Sequence, residues 1–148
     1  MSTFRQIYYQ IVFGTKDWKP TIPESSCVEL YRYIWGIIEQ KNCHLYRVNG
    51  VEDHIHIFCD LHPTLALSDF VKTIKVSTSL WMKEVGKFPK FAGWQEGYGA
   101  FTYNIREKDM IINYVKNQKE HHQKESSKDE FRRLLIENGI EFDEKYLF

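Results

Sequence analysis

The chain has 148 residues, 43% of them hydrophobic and 27% charged, with 20 basic and 20 acidic side chains. These proportions suit one globular domain over residues 1–148 with a proper core, and the balanced charge excludes a uniformly basic nucleic-acid coat. No apolar run approaches the roughly 18 residues of a membrane span, no signal-peptide pattern opens the chain, and Cys27, Cys43 and Cys59 form no C-x-x-C pair, so three reduced thiols in a cytoplasmic protein are expected.

Residues 5–14 are rich in Ile, Tyr, Val and Phe and end at Gly14, which predicts a first strand. Residues 24–41 follow as an amphipathic helix with Val28, Tyr31, Ile34, Trp35 and Ile38 inward. A strand over 44–49 is expected to turn at Asn49-Gly50, a strong hairpin signal, into a second strand over 51–59. On that strand His54 and His56 share one face, because side chains two apart leave a strand together, while Ile55 and Ile57 point to the core. Ser68 and Asp69 suit the start of a helix over 69–85, with Phe70, Ile74, Thr78, Trp81 and Val85 on its buried face. Lys72, Lys75, Ser79 and Lys83 form another stripe, within a segment (72–90) that holds five lysines against Glu84 alone. A lysine and hydroxyl stripe of this kind can hold a sugar-phosphate backbone; a solvated helix face is the plainer reading.

An aromatic strand near 98–103 precedes Asn104, which has Glu107 three residues on in a capping-box spacing. The helix that follows carries Ile111, Ile112 and Val115, and sets Tyr114 and Gln118 one turn apart on one face, with His121 or His122 extending the stripe. Residues 131–138 read as a short last helix ended by Gly139, within a segment from 120 to 148 that holds five basic and eight acidic residues. The order β-α-β-β-α-β followed by helices predicts an α+β, ferredoxin-like (RRM-like) antiparallel sheet with helices on one face and extra C-terminal helices.

Two imidazoles on one rigid strand face make half a metal site. If the later helix packs over that strand, Gln118 supplies a third ligand and Tyr114 a nucleophile aimed at the open positions. Taken singly, His54 and His56 also describe two polar positions on a solvated strand face, and Tyr114 a half-buried helix tyrosine.

The run His54-Ile55-His56-Ile57-Phe58, then Leu61-His62-Pro63, residues 67–72, residues 94–98 and Tyr114-Val115-Lys116-Asn117-Gln118 resemble the single-tyrosine HUH transposases. These are the IS200-like enzymes of insertion sequences that move as single-stranded DNA, together with their relatives associated with repetitive extragenic palindromes. The resemblance runs from about Phe4 to the C-terminus. It implies Mg2+ or Mn2+ on His54, His56 and Gln118, and Tyr114 as the covalent nucleophile. It implies single-stranded DNA with hairpin ends as substrate, and in that setting the stripe of Lys72, Lys75, Ser79 and Lys83 is expected to contact the DNA. It also implies a homodimer, with the tyrosine helix serving the histidines of its own subunit or of its partner. A non-catalytic, domesticated hairpin-binding module is the alternative, and a relaxase is disfavoured by the short chain. Histidine-triad hydrolases need a third histidine where Phe58 stands, and metal-dependent amidohydrolases need a barrel of about 250 residues.

Overall fold

A computed structural model describes residues 2–148. Four strands, β1 (Tyr8–Gly14), β2 (His44–Val51), β3 (His54–Asp60) and β4 (Gly99–Tyr103), form one antiparallel sheet in the order β2-β3-β1-β4. Helices α1 (Cys27–Gln40) and α2 (Leu67–Val85) follow β1 and β3 and cover one face. Three further helices, α3 (Lys108–Lys116), α4 (Gln118–His121) and α5 (Ser127–Glu137), come after β4, and α3 and α5 pack on the other face. This is the ferredoxin-like α+β arrangement expected. No helix among the described residues is long and apolar enough to cross a membrane.

Alternation divides the sheet into two faces. Ile11, Phe13, Ile55, Ile57 and Cys59 pack against Leu30, Ile34 and Ile38 of α1 and Phe70, Ile74 and Met82 of α2. Val12, which pairs with His56 across the sheet, joins Trp18, Phe101 and Phe131, Leu134 and Leu135 of α5. Tyr8 and Phe58 join Ile111 and Val115 of α3. Both faces of the central strand β3 are therefore covered, and residues 54–59 are all buried. Cys27, Cys43 and Cys59 are buried free thiols.

Several local expectations give way. Asn49 and Gly50 lie inside β2, paired with His56 and Ile55, and the chain turns at Glu52 and Asp53 instead. Gly50 is required for close approach, since a Cβ there would come within 2.2 Å of the His54 carbonyl oxygen. The buried face of α1 is Cys27, Leu30, Ile34 and Ile38, whereas Val28 and Trp35 are each about half exposed. Ser68 lies within α2, whose cap position is Ala66. The capping box of Asn104 and Glu107 is present, on a 3-10 turn that runs into α3. The last helix starts at Ser127, a full turn before residue 131, capped by the Ser126 side chain and stopped at Gly139, whose φ is +69°.

Candidate metal centre and nucleophile

His54, His56 and Gln118 have no solvent exposure, and Glu130 is 1% exposed. A buried imidazole or carboxylate without partners is costly, and nearly every polar atom here has one. The His54 Nδ1–H donates to Asp53 Oδ1 at 2.8 Å, and Asp53 Oδ1 also accepts from the Ser127 hydroxyl at 2.7 Å, which ties the first turn of α5 to the β2–β3 turn. The His122 Nδ1–H donates to the Glu125 carbonyl at 2.8 Å. Fixing the proton on Nδ1 aims Nε2 of both rings inward, the orientation metal-binding histidines take. His56 is held differently. The Gln10 amide nitrogen faces its Nδ1 at 3.0 Å, while Gln10 Oε1 accepts from the Tyr103 hydroxyl at 2.6 Å. His56 thus keeps its proton on Nε2 unless the Gln10 amide turns over.

The three Nε2 atoms of His54, His56 and His122 each lie 3.0 Å from Glu130 Oε1. The second oxygen, Oε2, accepts from the Tyr114 hydroxyl and, at 3.2 Å, from Gln118 Nε2. One carboxylate from α5 therefore links the expected histidines to the expected tyrosine and glutamine. Gln118 joins through Glu130 and through His122, whose Nε2 is 3.0 Å from Gln118 Oε1. Tyr114 is half-buried, its ring centroid 5.9 Å from that of His56, and its oxygen accepts from Arg133 Nη2 at 2.7 Å. The Trp18 ring stacks on His54 at 5.4 Å, delivered by a turn in which Asp17 and Trp18 both adopt positive φ, at 57° and 52°. Such conformations are rare away from glycine and concentrate at functional sites.

Burial pushes His54 down, but its hydrogen bonds with Asp53 and Glu130 outweigh that and raise it to about 9. Burial wins at His56, which falls to about 4 despite Glu130. Burial favours a neutral Glu130, yet His56, His122 and His54 hold its carboxyl well below the carboxylate range. Burial, then the Glu130 carboxylate, push the Tyr114 phenol far above its usual value, with Arg133 opposing.

The donor set fits a divalent ion. Ligand atoms of His54, His122 and Glu130 all lie within 4.8 Å of one another, as do those of His121, Glu125 and Glu130. Nε2 of His54 and Nε2 of His56 are 3.2 Å apart, close to the separation of about 3.0–3.4 Å that two imidazoles adopt on one ion at bond lengths near 2.1 Å. Imidazole nitrogens with one carboxylate and an amide oxygen suit Mn2+ more than Mg2+, which prefers oxygen alone.

The lysine stripe belongs to α2, across the sheet from His54 and His56. Lys72 and Lys83 are exposed and Ser79 is half-buried. Ser79 and Lys83 border a cavity of about 550 Å³ that also meets Phe88 and Phe91. Lys75 departs from the stripe, because its ammonium donates to the carbonyls of Gln95 and Gly97, both at 2.7 Å, and of Glu96 at 3.3 Å, and so clamps that loop.

Sequence patterns alone do not single out Glu130, Arg133 or Asp53. A signal for the helix that carries the first two is present: Ser126-Ser127-Lys128-Asp129 before Phe131 has the S-x-x-D spacing that opens helices, and a helix begun there brings Glu130 to the same face as Leu134.

A family model described as "Transposase IS200 like" matches residues 3–118. Among solved structures, a candidate transposase from Deinococcus radiodurans R1 is 22% identical, with a TM-score of 0.61 over 80% of this chain and 98% of its own. A REP-associated tyrosine transposase bound to a REP hairpin is 14% identical, with a TM-score of 0.60 over 82% of this chain and 74% of its own. At these identities the two structures establish a shared fold. A comparison with curated proteins finds no match.

Proposed function

The chain belongs to the IS200-like transposase family, and on that premise we propose that it cleaves and rejoins single-stranded DNA at insertion-sequence ends through a 5′-phosphotyrosine intermediate. The observation that carries this reading is the single hydrogen-bonded cluster in which the Tyr114 hydroxyl meets His54 and His56 through Glu130. Tyr114 attacks the scissile phosphorus, the bond to the 3′-oxygen breaks, and a second 3′-hydroxyl later displaces the tyrosine. The bond energy stays in the phosphotyrosine, so rejoining needs no ATP.

His54, His56 and Gln118 would hold the ion, Mn2+ or Mg2+, with His122 and Glu130 as additional donors. When bound, it polarises the non-bridging oxygens of the scissile phosphate. Asp53 orients His54 for ligation, His56 would ligate through Nε2 once the Gln10 amide turns over to accept from its Nδ1–H, and α4 and α5 cover the cluster from the solvent. The Tyr114 hydroxyl reaches the histidines of its own chain through Glu130, which favours a tyrosine acting on its own subunit's histidines; a homodimer is part of this proposal. Residues 1–148 act as one HUH domain, in the cytoplasm. Lys72, Ser79 and Lys83 contact the DNA backbone, and Lys75 supports them by shaping the 95–97 loop. Hairpin recognition draws on the REP-hairpin complex of the second structural neighbour.

The test uses Mn2+ and 3′-labelled single-stranded oligonucleotides that tile the DNA flanking the coding sequence. The unaltered protein forms an adduct that survives SDS, and Tyr114→Phe forms none while still binding hairpin DNA. Adduct from Tyr114→Phe contradicts the assignment, and hairpin binding with no adduct in any metal supports a binding module instead.

A further inference from the structure

The family match ends at residue 118, yet two groups that touch the Tyr114 hydroxyl, Glu130 and Arg133, come from α5. Arg133 is oriented from both sides. Its Nε donates to the Glu125 carboxylate at 3.1 and 3.2 Å, its Nη1 to Glu137 at 3.1 and 3.2 Å, and its Nη2 both to Glu125 at 3.1 Å and to the Tyr114 oxygen at 2.7 Å. Two carboxylates already compensate its charge. The contact with a neutral phenol therefore adds little to ion pairing, but it fixes a rigid donor on the oxygen that must become nucleophilic. The guanidinium carbon also sits 5.7 Å from the centre of the Tyr114 ring. On its other side the same hydroxyl donates to Glu130 Oε2. The phenol is thus held between an acceptor for its proton and a cationic donor to its oxygen.

We propose that Arg133 is a catalytic residue, stabilising the negative charge on the Tyr114 oxygen both when tyrosine attacks and when it leaves. The inference rests on the reading of Tyr114 as nucleophile. In cleavage the O–H bond of Tyr114 breaks and its proton leaves along the existing hydrogen bond to Glu130 Oε2, which passes it on to solvent. The phenolic oxygen bonds to phosphorus, the P–O3′ bond breaks, and the 3′-oxygen takes a proton from solvent. In rejoining, the attacking 3′-hydroxyl gives its proton to solvent as its oxygen bonds to phosphorus, and the tyrosine departs as a phenolate facing Arg133 and takes a proton that Glu130 relays from solvent. Charge that develops on an oxygen is best met by a donor already in position. Arginine keeps its own charge throughout, because its pKa lies above 12.

The experiment measures the rate of adduct formation by the full-length protein in Mn2+ with the same tiled, 3′-labelled oligonucleotides. Arg133→Ala lowers the rate by roughly 100-fold, the loss seen when one preorganised donor to a developing oxyanion is removed, and hairpin binding is unchanged. Arg133→Lys falls between the two. Added guanidinium restores part of the Arg133→Ala rate, and fluorotyrosine at position 114, whose phenol ionises more readily, shrinks the defect. A purely structural arginine responds to neither. Unchanged rates in Arg133→Ala, or a loss that neither guanidinium nor fluorotyrosine moves, overturn the proposal. Absence of adduct from the unaltered protein, or adduct from Tyr114→Phe, overturns instead the reading of the site on which it rests.

Discussion

Glu130 and His54 stand 76 positions apart in the chain and meet at 3.0 Å in its interior. Without Glu130, the buried imidazoles of His54 and His56, the partly buried His122 and the Tyr114 hydroxyl lose their shared partner, and stranding buried polar or charged groups costs about 3–5 kcal/mol. Glu130→Ala is expected to destabilise the metal-free protein on that scale in urea unfolding, well beyond the effect of an exposed glutamate such as Glu144→Ala. Equal midpoints for the two variants contradict the role of Glu130.

His54 titrates near 9 in the folded protein against an ordinary value of 6.5. A raised folded value means that protonated His54 stabilises the metal-free fold fully below pH 6.5, and that this contribution disappears as pH rises towards 9. The shift corresponds to about 3 kcal/mol. Mn2+ must displace that proton, so its affinity rises over the same interval. Thermal midpoints without metal should fall, and calorimetric Mn2+ affinity should rise, between pH 6.5 and 9. A Mn2+ affinity that is flat with pH contradicts this.

Asp53 accepts from His54 Nδ1. Asn at position 53 can turn an amide N–H towards that nitrogen, which moves the ring proton to Nε2 and blocks ligation. Asp53→Asn is therefore expected to weaken Mn2+ binding by about 10- to 100-fold, with Asp53→Glu closer to the unaltered protein. Calorimetric titration with Mn2+ measures both.

Gly50 tests the frame that carries the histidines. A Cβ at this position meets the His54 carbonyl oxygen at 2.2 Å, so Gly50→Ala must spread β2 from β3. Overpacking of this kind costs about 1–3 kcal/mol. The variant should unfold at lower urea, whereas Gly36→Ala, which meets nothing within 4 Å, should not.

The four strands, the helices and the shared face of His54 and His56 were legible because alternation and 3.6-residue periodicity act locally. The i, i+4 relation of Tyr114 and Gln118 was legible for the same reason, although the helix breaks at Asn117 between them. Asn49-Gly50 misled because its glycine serves a close backbone approach, and turn propensity carries no information about what lies across the strand. Glu130 and Arg133 were hidden because residues 124–133 are so polar that they read as a solvated segment. Only the tertiary approach of α5 turns their charge inward, and the acidic balance of residues 120–148 gave no sign that one carboxylate would be buried. Helical spacing alone places the lysine stripe of α2 on one surface. The carbonyls that engage Lys75 come from a loop some 20 residues away, beyond the reach of helix periodicity.

Peptide mapping of the DNA adduct bears most directly on the central claim. After nuclease trimming and proteolysis, the peptide that contains Tyr114 should carry the residual nucleotide through a phosphodiester to its phenolic oxygen, only in the presence of a divalent ion and not in His56→Ala. A nucleotide found on Tyr9, Tyr98 or Tyr103, or on Tyr114 in metal-free protein, would contradict it.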